Sequence, residues 1–255
     1  MRPLTPVAVP AKAWIFPERE SSDTINALAE SLGIDRHLAQ LLVQRGIRTF
    51  DESKAFFRPH WNDLGDPALM KGMDKAVETL AECIDNGERI LLYGDYDVDG
   101  TTSVALSYRF LRKYCADLGY YIPDRRIEGY GLSQKGIDWA VQNGFRCIVT
   151  LDCGTTAFEQ VDYANTLGLK VIITDHHKPS DRLPKACAIL NPLQPGCPYA
   201  FKDLSGCGVA FKFLVALCHR FEWPMSELLE QLELVAISIA ADMVPLTGEN
   251  RVLTH

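Results

Sequence analysis

RCIVTLDCGTTAFEQVDYANTLGLKVIITDHH, residues 146–177, decides the fold. Two nearly continuous apolar runs, RCIVTLD and LKVIITD, flank the helix-like AFEQVDYANTLG, and both runs finish in acidic or imidazole side chains. The rhythm extends upstream, where RILLYG, TTSVALSYRFLRKY, GYYIP and SQKGIDWAVQNG alternate strand-like with helix-like patterns. Nearly continuous apolar strands separated by helices mark a parallel sheet that is covered on both sides. The expected fold is α/β: a doubly wound, mainly parallel sheet with helices on both faces, preceded by a small helical N-terminal segment.

That segment is SSDTINALAESLGIDRHLAQLLVQRG, from Ser22 to Gly46 when its leading serine is set aside. It reads as two short amphipathic helices with Ser22 or Asp23 as cap and Gly33 between them. A helix-turn-helix has the same outline, but no basic recognition face is present, so a helical pair packed on the main domain is the preferred reading. FFRPHWNDLGDPALMKGMDK follows as a loop-rich connector, then a helix from about Met73 to Asn86. In the tail, DLSGCGVAFKFLVALCHRF and SELLEQLELVAISIAADM read as two helices separated by Trp223 and Pro224. The expected division is an arm and helical pair over 1–72 and the α/β domain over 73–255.

The 255 residues are 47% hydrophobic and 23% charged, sufficient for a substantial core. VAISIA and RILLYG, among the longest apolar stretches, fall well short of the roughly 20 residues that span a bilayer, so no membrane association is expected. Three prolines interrupt the first ten residues, which argues against a secretory signal and for a cytoplasmic protein. The eight cysteines contain no CxxC pair and are expected mostly as small buried apolar residues. A formal charge of −7 argues against a uniformly basic nucleic-acid coat, although cations bound by acidic side chains would not enter that sum.

Open parallel sheets bind ligands at the carboxyl ends of their strands. The first strand ends in YGDYDVDG, giving Asp95, Asp97 and Asp99. RCIVTLD supplies Asp152, LKVIITDHH supplies Asp175, His176 and His177, and a later ADMVPL supplies Asp242. Carboxylates gathered at one edge repel each other unless cations neutralise them, and such a set with one or two imidazoles suits Mn²⁺ or Mg²⁺. Zinc fits less well without a cysteine cluster. Singly, each residue has another reading. DYDVDG resembles an EF-hand start, but the twelfth position from Asp95 is Leu106, where a bidentate Glu is needed. Asp152 alone can cap a helix, Asp242 can be a turn residue before Pro245, and either histidine can be structural.

In sequence order, DYDVDG, LDCG, TDHH and ADMVPL resemble the four motifs of the DHH phosphoesterase superfamily. Within it, GDYDVDGTTS, IPDRRIEGYGLS, TDHHKP, NPLQPGCPYAFKDLSGCGVAFK and ADMVPLTGENR resemble the bacterial RecJ-like single-strand-specific exonucleases, from about Trp14 onward. The resemblance implies a two-metal phosphodiesterase, with two Mn²⁺ or Mg²⁺ ions per site. An enzyme of that kind is expected to hydrolyse single-stranded DNA 5′ to 3′ to mononucleotides in repair and recombination. Asp97, Asp99, Asp152, His176 and Asp242 match the metal-ligand positions, with Asp152 as the bridge. Many relatives carry a histidine where Tyr93 stands, so Asp95 either substitutes as a ligand or tunes the site. By the same resemblance Asp175 orients an imidazole and His177 contacts the phosphate or aids proton transfer.

Arg125 matches the arginine of the P-x-R-x-x-x-GYG stretch and is a candidate phosphate grip. Tyr130 either stacks on a base or packs. Gly206 and Gly208 are candidates for close helix approach. Implied partners are single-stranded DNA, a single-strand-binding protein and a helicase. The chain closes on ENRVLTH with no Gly-Gly-His, so the DHHA1 and oligonucleotide-binding domains of such enzymes are expected to lie outside it. Competing functions are hydrolysis of short oligonucleotides or cyclic dinucleotides, and a non-catalytic DNA-binding scaffold.

Overall fold

A computed structural model describes residues 21–255. The arm over 1–20, and with it the reading against a secretory signal, lies outside the described residues. The chain divides into one compact unit ending at Arg58 and a second running from Pro59 to His255.

In the first unit, α1 (Ser22–Leu32) and α2 (Arg36–Val43) are capped by the side chains of Ser21 and Asp35, and Gly33 closes α1 at φ 62°. A third helix, α3 (Phe50–Phe57), follows and was not expected. Its start is a capping box in which Thr49 and Glu52 exchange side-chain to backbone hydrogen bonds. Ile25, Leu28, Ala39, Leu42, Val43 and Ile47 form this unit's own small core.

Residues 59–72 pack with the second unit. Met70 is buried in its core, and the Trp61 ring meets Phe211 edge-on at 6.1 Å. Then come α4 (Met73–Asp85), β1 (Ile90–Gly94), α5 (Val98–Leu111), β2 (Leu118–Tyr121), α6 (Gln134–Gln142), β3 (Cys147–Leu151), α7 (Phe158–Thr166) and β4 (Lys170–Thr174). Next are β5 (Ala188–Leu190), α8 (Gly206–Phe221), α9 (Met225–Leu229), α10 (Leu232–Ala241) and α11 (Gly248–Leu253). The run SELLEQLELVAISIAADM, expected as one helix, breaks into α9 and α10. Strand β5 was not legible because three apolar residues between a cysteine and Asn191 carry no period.

All strand pairs are parallel, in the order β2-β1-β3-β4-β5. Alternate side chains sort to opposite faces, as the pleat requires. Ile90, Leu92, Cys147, Val149 and Ile172 join a core with α4, α5, α8 and α10, whereas Leu91, Ile148, Val171 and Ile173 join one with α6 and α7. The doubly wound α/β expectation therefore holds. Strand order reverses at β1, with β2 on one side and β3 on the other, so the switch point lies between β1 and β3. Among the described residues no helix is long and apolar enough to cross a membrane.

Candidate metal centre

Register builds the site. Gly94 pairs with Leu151, Leu151 with Thr174 and Thr174 with Leu190, so four strands finish level. The next residues, Asp95, Asp152, Asp175 and Asn191, stand in a row. One further rung extends the ladder: Asp95 N donates to Leu151 O (3.3 Å), Asp152 N to Thr174 O (2.9 Å) and Asp175 N to Leu190 O (2.9 Å). Asp95, Asp152 and Asp175 are each 1% exposed, which no carboxylate tolerates without compensation.

The remaining groups arrive from helix ends. Asp97 caps α5, accepting from Gly100 N at 3.0 Å. Two residues on, within the first turn of α5, Asp99 points at the start of α8, accepting from Gly206 N (2.6 Å), Cys207 N (2.8 Å) and Ser238 Oγ (2.7 Å). Asp242 is the C-cap of α10. His176 Nε2 lies 3.2 Å from Asp152 Oδ1, 3.5 Å from Asp99 Oδ2 and 3.6 Å from Asp242 Oδ2. Three ligand groups result: Asp95, Asp97 and Asp152; Asp99, His176 and Asp242; Asp152, His176 and His177. Asp152 and His176 each belong to two of them.

Buried polar atoms without partners test whether a cation fits. Oδ1 of Asp95, Oδ1 of Asp152 and Nε2 of His176 have no hydrogen-bond partner. In folded proteins such orphans are rare and call for an explanation, an ion among them. Three within one carboxylate-rich cluster suit hard divalent cations.

The helix-cap reading of Asp152 falls away. Asp152 caps no helix, because α7 begins at Phe158 and its cap residue is Ala157. Instead Asp152 is strained at φ 62°, in the left-handed region. Gly206 is needed beside it, since a Cβ there would lie 2.5–2.7 Å from Asp152 Oδ1, Cβ and Cγ. A Cβ on Gly208 would make closest contact at 3.3 Å, with Leu204 Cδ2. Tyr93 turns into the α6–α7 core, where its hydroxyl sits 3.1 Å from Gly131 O and its ring stacks on Tyr121. It contributes nothing to the cluster, whereas Asp95 does.

Asp175 holds His177 rather than His176. Its Oδ1 accepts from His177 Nδ1 (2.8 Å), His177 N (3.0 Å) and His176 N (2.8 Å), and its Oδ2 from Thr155 N (2.9 Å). Tyr130 brings its hydroxyl, not its ring face, to the site: the O–H donates to Asp152 O at 3.2 Å and lies 3.1 Å from His177 Nδ1. Its ring is half exposed. Arg125 is exposed, with its guanidinium 5.1 Å from the ring centroid of Tyr96, the residue between Asp95 and Asp97. Sequence reasoning missed Asn191, Ser205 and Ser238. Asn191 Nδ2 donates to His177 O (2.8 Å) and Thr155 Oγ1 (3.0 Å), tying two motif loops together. Ser238 Oγ lies 2.6 Å from Ser205 Oγ. No periodicity marks a single buried serine or asparagine.

Protonation follows from crowding. Burial, reinforced by the Asp99 charge, raises the Asp152 carboxyl to about 8. His176 is pushed down by burial, but Asp152, Asp99 and Asp242 outweigh this and raise it to about 9. Burial raises Asp95 and Asp242 too. Cation binding requires unprotonated carboxylate and imidazole, so it must expel protons that the raised Asp152 and His176 groups retain. Mn²⁺ affinity is therefore expected to strengthen as pH rises from 6.5 to 9, with proton release. Calorimetry in buffers of different ionisation enthalpy checks this, and a flat pH profile would contradict it.

A family model described as "DHH family, N-terminal domain" matches residues 89–239. The chain is 42% identical over 237 residues to the single-stranded-DNA-specific exonuclease RecJ of Bacillus subtilis, covering 92% of this chain and 29% of that protein. It is 38% identical over 248 residues to the protein of the same name from Escherichia coli, covering 92% and 41%. A crystal structure of RecJ in complex with Mn²⁺ from Thermus thermophilus superposes with a TM-score of 0.74 at 30% identity, covering 92% of this chain and 32% of that one. The chain thus spans well under half the length of these curated relatives.

Proposed function

The chain belongs to the DHH family, and from that premise we propose that it carries the catalytic site of a metal-dependent 5′ to 3′ exonuclease that hydrolyses single-stranded DNA to 5′-mononucleotides. The observation that carries this reading is the pair of ligand groups, Asp95/Asp97/Asp152 and Asp99/His176/Asp242, adjoining at two buried atoms, Asp152 Oδ1 and His176 Nε2, that have no hydrogen-bond partner. Two divalent cations, Mn²⁺ or Mg²⁺, supply Lewis-acid polarisation of the phosphodiester and acidification of the attacking water.

The side chains do the rest. Asp152 would hold the first ion and His176 the second, the two side chains meeting 3.2 Å apart where the groups adjoin, and the α8 amides hold Asp99 in place. Asp175 fixes His177 through Nδ1, and that hydrogen bond, the largest influence on the imidazole, raises its affinity for a proton. A protonated His177 meets a phosphoryl oxygen or delivers a proton to the 3′-oxygen that leaves as the P–O bond breaks. Tyr130 positions that imidazole against Asp152, and Arg125 grips a neighbouring phosphate. The setting is the cytoplasm, in DNA repair and recombination, with a single-strand-binding protein and a helicase as partners.

The test uses single strands labelled at either end, in Mn²⁺. A 5′ label is expected to appear at once as mononucleotide while a 3′-labelled strand shortens progressively. The reverse order, or preferential hydrolysis of a cyclic dinucleotide, would overturn the proposal.

A further inference from the structure

Helix α8 buries every residue from Gly206 to Val215, apolar side chains and glycines apart from one lysine. Lys212 is 2% exposed, and its Nζ lies 2.6 Å from Glu249 Oε2 and donates to Gly65 O at 3.0 Å. Glu249, on α11, is 5% exposed and also accepts from the Tyr199 hydroxyl at 2.8 Å. Gly65 must lack a side chain, because a Cβ there would come within 2.8 Å of Glu249 Oε1. A buried ion pair of this kind is weak evidence for stability, since apolar residues of similar volume are often as good or better. Its placement in the fold suggests what else it does.

Asp242 is held differently from its neighbours. Asp99 accepts three hydrogen bonds and Asp175 four, whereas none described reaches the Asp242 carboxylate from its own protein. Its position therefore depends on the backbone on either side. Upstream, Ser238 ties α10 to Asp99 and to Ser205, the cap of α8. Downstream, the chain turns through Met243, at φ 57° with its side chain 86% exposed, and enters α11 six residues after Asp242. There Glu249 meets Lys212 of α8, and Asn250 Nδ2 donates to Pro245 O (3.0 Å) and Asp203 O (2.6 Å). Both ends of the Asp242 turn are thus fastened to α8, the helix whose first amides hold Asp99.

We propose that Lys212 and Glu249 are positioning residues that set Asp242 against Asp99 and His176, so that the pair governs the Asp99/His176/Asp242 ion and not the Asp95/Asp97/Asp152 ion. This rests on the two-cation reading of the site. A point charge with three donors and a carboxylate with two partners fix direction as well as distance, which apolar packing does not.

Mn²⁺ titration of the protein by calorimetry tests it, comparing wild type, Asp242→Asn, Glu249→Gln and the double substitution Lys212→Met with Glu249→Leu. Wild type is expected to take up two ions. Asp242→Asn should weaken one of them by at least about tenfold, the double variant should weaken that same ion by about 10–100-fold, the usual range for outer partners of a metal site, and both should leave the other ion unchanged. Glu249→Gln keeps the shape and should weaken the same ion less, so it decides the matter if the double variant does not fold. Wild-type binding of both ions by Glu249→Gln and by the folded double variant would overturn the proposal, as would equal weakening of both ions. Unchanged binding by Asp242→Asn would instead remove Asp242 from the ligands, and the proposal with it.

Discussion

Asp152→Asn is expected to lower hydrolysis of single-stranded DNA at least about a thousandfold, roughly 4 kcal/mol of transition-state stabilisation at 1.36 kcal/mol per tenfold. Asp152 stands between the two halves of the site, sharing one ligand group with Asp95 and Asp97 and another with His176 and His177. Neither Asp99 nor Asp175 can replace it, because Asp99 is tied to the α8 amides and Asp175 to His177. The fold should survive. Asparagine has the shape of aspartate and tolerates the left-handed backbone at φ 62° better than most residues.

Without metal the variant should even gain stability. The carboxyl is raised from 3.8 to about 8, so the folded state binds its proton more tightly than the unfolded state does. Stability from this group is then full below pH 3.8 and falls as pH rises towards 8. Asparagine removes that loss. Thermal midpoints in chelator should favour the variant at pH 8 and converge near pH 4. An inactive variant that is also less stable at pH 8 would point to a structural role for Asp152.

Gly206→Ala is the second large effect. Alanine usually favours a helix by about 1 kcal/mol over glycine. Here its methyl would fall 2.5–2.7 Å from three atoms of Asp152, including Cβ, which cannot swing away as a side-chain tip can. Overpacking at such a site typically costs about 1–3 kcal/mol, so the net change should be destabilising despite the propensity. The larger consequence is for the site, because the same residue donates its amide to Asp99. Displacing Asp152 and Asp99 together should weaken both Mn²⁺ ions by at least about tenfold. Calorimetry and a melting curve on one preparation separate the two effects. Wild-type Mn²⁺ affinity in this variant would mean that the contact is slack.

Most of this architecture was legible in the sequence. Strand-helix alternation is a strong signal where strands are five residues long and mostly apolar, as in β1, β3 and β4, and four motifs at strand and helix ends announced the carboxylates. What stayed illegible has physical causes. β5 is too short to show a period, and α3 depends on its Thr49/Glu52 cap more than on an apolar face. α10 is so uniformly apolar that its boundary with α9 leaves no trace. In the site, sequence could nominate Asp175 as an orienting group but not choose between imidazoles, since that depends on how the turn folds back onto Oδ1. Tyr130 was read through its ring, whereas its hydroxyl is what enters the cluster. Lys212 and Glu249, 37 residues apart, could not be paired before α8 and α11 were placed together.

Crystals of the protein grown in Mn²⁺ and measured near the manganese absorption edge provide the most direct test. Two anomalous peaks are expected, one among Asp95, Asp97 and Asp152 and one among Asp99, His176 and Asp242. Their absence at full Mn²⁺ occupancy elsewhere in the crystal, or a single ion held by the two histidines without Asp95, Asp97 and Asp99, would contradict the account.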